Sequence, residues 1–179
     1  MSANQPPPPY GPPHSPYPMT QPPGVPAGMA PLATSGQRFV ARLLDTLILG
    51  VIWTLALAAT GALQSAMDDP NDPDIGKTAI SAVITFIVYF GYEGAMLAHD
   101  GQTLGKKAAR IRVAVLADGD IPRGKGWSRA AVYAMPGIAQ PILLGTLFWL
   151  LNSLWQLWDK PFRQCLHDKV AKTVVVEAR

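Results

Sequence analysis

Three long apolar stretches follow one another along the chain, at residues 43–63, 78–98 and 130–158. A helix of about 20 apolar residues is long enough to cross the hydrocarbon core of a bilayer, which is about 30 Å thick. The first two stretches therefore predict membrane-spanning helices. The third is long for one span and short for two, and Pro136 and Pro141 interrupt it.

The third stretch admits two interpretations. In the simpler one, an interfacial helix over residues 128–140 precedes a single spanning helix over residues 141–158. In the other, a re-entrant hairpin breaks near residues 136–145, which is tolerated at membrane depth only where protein or a cavity surrounds the backbone. The basic C-terminal residues favour the hairpin, because it keeps the C-terminus cytoplasmic.

The first 37 residues contain twelve of the eighteen prolines and no Lys, Arg, Asp or Glu. Such a segment buries too little apolar surface to offset the entropy lost on ordering, and proline disfavours regular helix and sheet. We predict a disordered, partly polyproline-II tail over residues 1–37, ahead of a membrane domain over residues 38–176. The tail could bind a proline-recognising partner, or it could be a spacer.

Charge is distributed unequally between the two predicted loops. Residues 64–77 carry four aspartates and one lysine, whereas residues 99–129 carry seven lysines and arginines. Basic residues in short loops stay on the cytoplasmic side, so we predict a multi-pass protein of the cell membrane with a cytoplasmic N-terminus. Four basic residues of the second loop are expected to meet anionic headgroups at the membrane surface. They are Lys106, Lys107, Arg110 and Arg112.

The second loop also shows a strand pattern. Residues 110–116 alternate loosely between polar and apolar positions, and Asp118-Gly119 is a typical turn before Ile121. We predict a short cytoplasmic β-hairpin, to which residues 171–176 could add a strand. The predicted fold class is thus a mainly α-helical integral membrane protein with three hydrophobic segments, this hairpin and the disordered tail.

One carboxylate, Asp45, lies inside the first apolar stretch. A charge near the bilayer centre costs about 2.5–3.5 kcal/mol on insertion scales, so it marks a functional site by default. Arg42, three residues earlier, is at the spacing of a direct helical pair, while Arg38 would lie at the headgroup boundary. Glu93 in the second stretch could meet Asp45 at similar depth or extend to the interface. A structural ion pair that holds the helices together is the alternative, and the sequence does not separate the two.

Catalytic and metal patterns are weak in this chain. There is a single cysteine, Cys165, and no nucleophile with an adjacent base. The His-Asp pairs at 99–100 and 167–168 do not have the spacing of a four-ligand zinc site. The basic cluster lacks interleaved aromatic residues, which argues against nucleic-acid binding. We expect no enzyme activity, no metal and no cofactor.

Four motifs follow one another along the chain: Arg38-Phe-Val-Ala-Arg-Leu-Leu-Asp45, Gly101-Gln-Thr-Leu-Gly-Lys106, Arg129, and the segment 163–175 with its His167-Asp168 pair. Together they resemble the RDD family of small integral membrane proteins. The resemblance implies that Arg38 and Asp45 are the arginine and first aspartate of the family name, and that Asp168 is the second aspartate. It also implies a transport role, since sodium/proton exchange has been attributed to some members.

The leading hypothesis from the sequence is transport of a cation or small solute, coupled to protons, in the lipid bilayer. Asp45 would be the titrating group, tuned by Arg38 and Arg42, with Glu93 and Asp168 contributing. Three short segments are too few to enclose a pathway, so we expect a homo-oligomer. The alternative is a membrane adaptor or scaffold that does not transport and recruits a proline-motif-binding protein through its tail.

Overall fold

The computed structural model describes residues 24–26, 28–136 and 144–178. Most of the predicted proline-rich tail, and the middle of the third apolar stretch, lie outside these ranges.

Two long helices form the body of the described structure. They are α1 (Ser35–Thr60) and α3 (Ile75–Asp100), each of 26 residues and each long and apolar enough to cross a membrane. At 1.5 Å per residue each is about 39 Å long. Thr34 caps the start of α1 through a reciprocal pair of hydrogen bonds with Gln37, and Gly61 ends it in the left-handed conformation, φ 74°.

The long helices run antiparallel, joined by the short helix α2 (Ala62–Asp68). At one end the Thr60 and Ser81 hydroxyls lie 2.7 Å apart. Away from α3, α1 exposes large apolar side chains at four-residue intervals, and each is at least 60% exposed. They are Leu47, Val51 and Leu55. An exposed apolar stripe of this kind is expected of a helix that faces lipid.

A two-stranded antiparallel sheet lies beyond these helices. β1 (Ile111–Val115) pairs with β2 (Thr173–Glu177), so that Val113 faces Val175. The predicted local hairpin is therefore wrong: the turn at Asp118-Gly119 leads to a helix and not to a second strand. Four consecutive residues of β2 are buried. Pairing with this distant strand buries more apolar surface than a local hairpin containing Pro122 would, since proline cannot donate to a strand ladder.

The segment before α1 joins the edge of this sheet. The Ala33 amide donates to the Val175 carbonyl at 3.0 Å, and Leu32 forms an isolated bridge with Val176. Met29 and Ala33 are buried. The predicted disorder therefore does not extend to residue 37, because these apolar side chains find a sheet to pack against.

The third apolar stretch is divided between two helices in the described residues. α5 (Gly124–Ala134) precedes the undescribed residues 137–143, and α6 (Leu144–Trp155) follows them. The described part of α6 has 12 residues and is about 18 Å long, which is shorter than a bilayer crossing. The C-terminal strand lies beside β1, so the described chain ends near the side where α1 begins.

Two short helices complete the fold. α4 (Leu104–Ala108) follows α3 directly and packs against α1, and α7 (Leu166–Ala171) precedes β2 and packs against α5. These contacts bring distant parts of the chain to one end of the long helices, where the charged residues meet.

Candidate functional site

Asp45 is fully buried, and its partners come from the segment around α4. One carboxylate oxygen accepts hydrogen bonds from the Thr103 hydroxyl at 2.6 Å and from the Lys106 ammonium at 3.4 Å. The other accepts from the Gly105 amide at 3.0 Å. Thr103 is also the N-cap of α4, so the beginning of this helix holds the carboxylate.

Arg42 does not form the predicted pair with Asp45. Its guanidinium lies over the Tyr133 ring, 3.8 Å from the ring centroid, and 3.5 Å from Nε2 of His167. A step of three residues leaves a helix about 60° short of a full turn, so the two side chains can meet different neighbours. Asp45 is directed towards α4 and Arg42 towards α5 and α7.

Lys106, predicted to be exposed with its basic neighbours and to meet headgroups, is instead buried against two carboxylates. Only 4% of the residue is exposed, and its ammonium lies 3.4 Å from Asp45 and 3.8 Å from Oε1 of Glu93. Burial, reinforced by Arg129, lowers the pKa of Lys106 to about 8, although both carboxylates act in the opposite direction. Lys106 thus lies between two carboxylates, and its own pKa of about 8 allows it to lose its proton at mildly alkaline pH.

The other three predicted surface residues are accessible. Lys107 and Arg110 are exposed, and Lys107 pairs with Asp100 at 2.7 Å. Arg112 is half-buried and donates to the Gly119 carbonyl at 3.2 Å. Their contact with lipid headgroups stays a prediction.

Arg129, in α5, connects three other groups. Its Nε donates to Asp168 at 2.8 Å, one terminal nitrogen donates to Glu93 at 3.1 Å, and the other lies 2.7 Å from Nε2 of His167. Only 1% of the residue is exposed. This side chain therefore links α5 to α3 and α7, and it joins Glu93 and Asp168 into one buried ionic network.

His167 is neutral in this network. Arg129 can only donate, so Nε2 of His167 accepts, while Nδ1 donates to Asn152 Oδ1 at 2.8 Å. Burial, together with the nearby arginine, places the pKa of His167 well below its usual value. Burial would by itself raise the pKa of Asp168, but Arg129 outweighs it and the pKa is well below its usual value.

Cys165, His167 and Asp168 place ligand atoms within 4.8 Å of one another. Both histidine nitrogens already have partners, and the carboxylate accepts from Arg129 and from the Cys165 amide. Burial raises the pKa of the Cys165 thiol to about 12, so it stays protonated. These contacts give the group a role in the ionic network, and we assign no metal to it.

Arg38 is also buried within the protein, at 6% exposure, and its predicted place at the headgroup boundary stays a prediction. It donates to the Val175 carbonyl at 3.0 Å and to the Arg163 carbonyl. These bonds fasten the beginning of α1 to β2 and to the turn before α7. Arg38 and Asp45 therefore contact different parts of the structure.

The structure thus brings Asp45, Glu93 and Asp168 into one network, as the sequence suggested, but through Arg129 and Lys106. Sequence reasoning did not assign Arg129 to the site. Its signal was a lone arginine at the edge of a 29-residue uncharged stretch, where a charge is costly unless it is paired. Asn152, which orients His167, left no such signal because one amide within an apolar helix is common.

Gly105 allows α4 to approach α1 closely. A Cβ atom at this position would overlap the Ala41 carbonyl oxygen and lie 2.8 Å from Oδ1 of Asp45. We expect Gly105→Ala to lower the free energy of unfolding in detergent by about 1–3 kcal/mol, the usual cost of overpacking. Gly50→Ala on α1 is the matched control, because nothing lies within 4 Å of its Cβ position. If the two variants are equally stable, the close contact between α4 and α1 is wrong.

This geometry defines a small helical membrane protein whose spanning-length helices carry a buried ionic network at one end. The model of the RDD family matches residues 32–172, and the chain belongs to that family. It is similar to an uncharacterized membrane protein, YteJ, of Bacillus subtilis strain 168. The two are 29% identical over 147 residues, which cover 79% of each chain. No solved structure matches the chain.

Proposed function

We propose that this RDD family membrane protein exchanges a monovalent cation for a proton at the buried network. The observation that supports the proposal is the position of Lys106, whose single ammonium is shared by Asp45 and Glu93. A proton carrier between two carboxylates gives a site where a proton and a cation compete for the same negative charge.

The exchange step keeps the charge of the site constant. Lys106 releases one proton and becomes a neutral amine, and one monovalent cation takes the place of the lost charge between Asp45 and Glu93. Oε2 of Glu93 is buried and has no hydrogen-bond partner among the described residues, so it is free to coordinate the cation. When Lys106 takes up a proton again, the cation leaves. The sequence assigned titration to Asp45, whereas the geometry favours Lys106 as the proton carrier.

The cellular arrangement is part of the same proposal. The positive-inside rule places the N-terminus and the basic loop in the cytoplasm of a multi-pass protein in the cell membrane. Two long helices do not enclose a path by themselves. A homo-oligomer would complete the path, and the exposed apolar side chains of α1 offer a surface for another copy as well as for lipid.

Proteoliposomes that contain the purified full chain test the proposal. A sodium gradient is applied, and proton movement is followed with a pH-sensitive dye at a series of pH values. Because the cation site opens only when Lys106 is neutral, proton movement should rise as pH increases and reach half its maximum near pH 8. The Lys106→Met variant should lose this flux, whereas Lys107→Met, on the exposed side of α4, should keep it.

A Lys106→Met variant with the flux and pH profile of the wild type would contradict the exchange mechanism. Potassium in place of sodium tests which cation is carried.

Deletion of residues 1–23 separates exchange from the adaptor alternative. This deletion leaves intact the segment that packs on the sheet, so the fold should be retained. An exchanger keeps its flux without the proline-rich tail. Flux that disappears with the tail would contradict the proposed mechanism.

A further inference from the structure

A cavity of about 540 Å³ lies between the beginning of α1, the end of α6 and α7. Its lining is strongly cationic on one wall. Four basic side chains and one acidic side chain line it: Arg38, Arg42, Lys106, Arg129 and Asp168.

Two of these arginines have no acidic partner. Asp168 is engaged by Arg129, and Lys106 is engaged by Asp45 and Glu93. Among the described residues, by contrast, no ion pair joins Arg38 or Arg42 to a carboxylate. Nε of Arg38 and one terminal nitrogen of Arg42 are buried without a hydrogen-bond acceptor. A buried guanidinium nitrogen without an acceptor is costly, which points to an anion in the cavity as the missing acceptor for these two nitrogens.

The lining of the cavity also includes exposed apolar side chains. Phe39 and Leu43 of α1 are 67% and 51% exposed, and α6 contributes Leu150 and Leu154 at 56% and 45%. Both helices belong to the apolar stretches, so these side chains would face hydrocarbon in a bilayer. The anion that fits such a cavity is amphipathic, with a charged head at the arginines and hydrocarbon along α1 and α6.

We propose that this cavity binds the phosphate headgroup of an anionic phospholipid. The phosphate oxygens accept from Nε of Arg38 and from the unpaired terminal nitrogen of Arg42, because charged donors of this kind form strong hydrogen bonds to phosphate. The acyl chains lie against the apolar side chains of α1 and α6. Basic pockets between membrane helices recognise lipid headgroups in this way. The inference does not depend on cation exchange.

Native mass spectrometry of the purified full chain tests whether the cavity binds an anionic phospholipid. Phosphatidylglycerol and phosphatidylcholine with the same acyl chains are titrated against the delipidated protein in detergent. The wild type should bind phosphatidylglycerol more tightly. Arg42→Gln should weaken that binding about fivefold, the factor for loss of one basic contact of about 1 kcal/mol. Arg110→Gln is the matched control, since Arg110 is exposed and does not line the cavity.

A second variant tests the same site in case Arg42→Gln does not fold. Ser153 lines the same cavity as Arg38 and Arg42, so the larger side chain of Ser153→Phe should reduce lipid binding while every charge is kept. Three results would overturn the proposal. They are equal binding of the two lipids, equal losses in Arg42→Gln and Arg110→Gln, and displacement of the lipid by inorganic phosphate, which would make the site one for a free anion.

Discussion

Replacement of Arg129 by glutamine is expected to lower the free energy of unfolding by about 3–5 kcal/mol, the cost of breaking a buried ion pair by removing one partner. Glu93 and Asp168 both lose their guanidinium partner and remain buried, and His167 loses the donor to its Nε2. Whole domains are stable by about 5–15 kcal/mol, so this change removes a large share of the total stability. Yield of monodisperse protein and unfolding in detergent measure the effect.

Arg110→Gln removes the same kind of side chain from an exposed position and should change stability by less than about 0.5 kcal/mol. Adding Asp168→Asn to Arg129→Gln should recover part of the loss, because one of the unpaired charges is then absent. If the free energy of unfolding of Arg129→Gln is within about 1 kcal/mol of the wild-type value, Arg129 is not the centre of the network.

Replacement of Asp45 by asparagine is expected to leave a folded protein that no longer exchanges cations. Asparagine can accept from the Gly105 amide and donate to the Thr103 hydroxyl, so the contact with α4 survives. The charge that holds Lys106 and the exchanged cation is lost. The flux should therefore fall by at least about tenfold, which corresponds to about 1.4 kcal/mol.

Asp118→Asn is the control for this prediction. Asp118 is exposed in the turn after β1, and its carboxylate accepts from the Asp120 amide, as an asparagine oxygen also can. The cation flux of the Asp118→Asn variant should equal that of the wild type. Equal flux in Asp45→Asn and the wild type would remove Asp45 from the mechanism.

Two spanning-length helices and the burial of Asp45 could be predicted from the sequence. Both follow from the free-energy cost of placing backbone and charged groups of one short segment in lipid. A run of 21 apolar residues has few alternatives to a helix in lipid, and a carboxylate within it is costly unless it has partners. The family resemblance is confirmed by the match over residues 32–172. It also directed attention to Asp168, which is part of the observed network.

The partners of these charges were not predictable, because they come from distant parts of the chain. Arg42 was the nearest cation to Asp45 along the helix, but Lys106, 61 residues away, reaches the carboxylate. Gly105 makes that possible by letting α4 approach, and one glycine in a loop does not reveal what approaches it. The strand predicted over residues 171–176 is confirmed as β2 beside β1, because its β-branched residues could be read locally, whereas the local hairpin was wrong.

The double variant Asp45→Asn/Lys106→Met tests most directly whether the network acts in exchange or only holds the helices together. Neutralising both members of a buried pair is often close to neutral for stability, so the protein should remain folded and monodisperse. We predict that it carries no proton-linked sodium flux in proteoliposomes. A folded double variant with wild-type flux would show that these charges are structural, and would contradict cation exchange at the buried network.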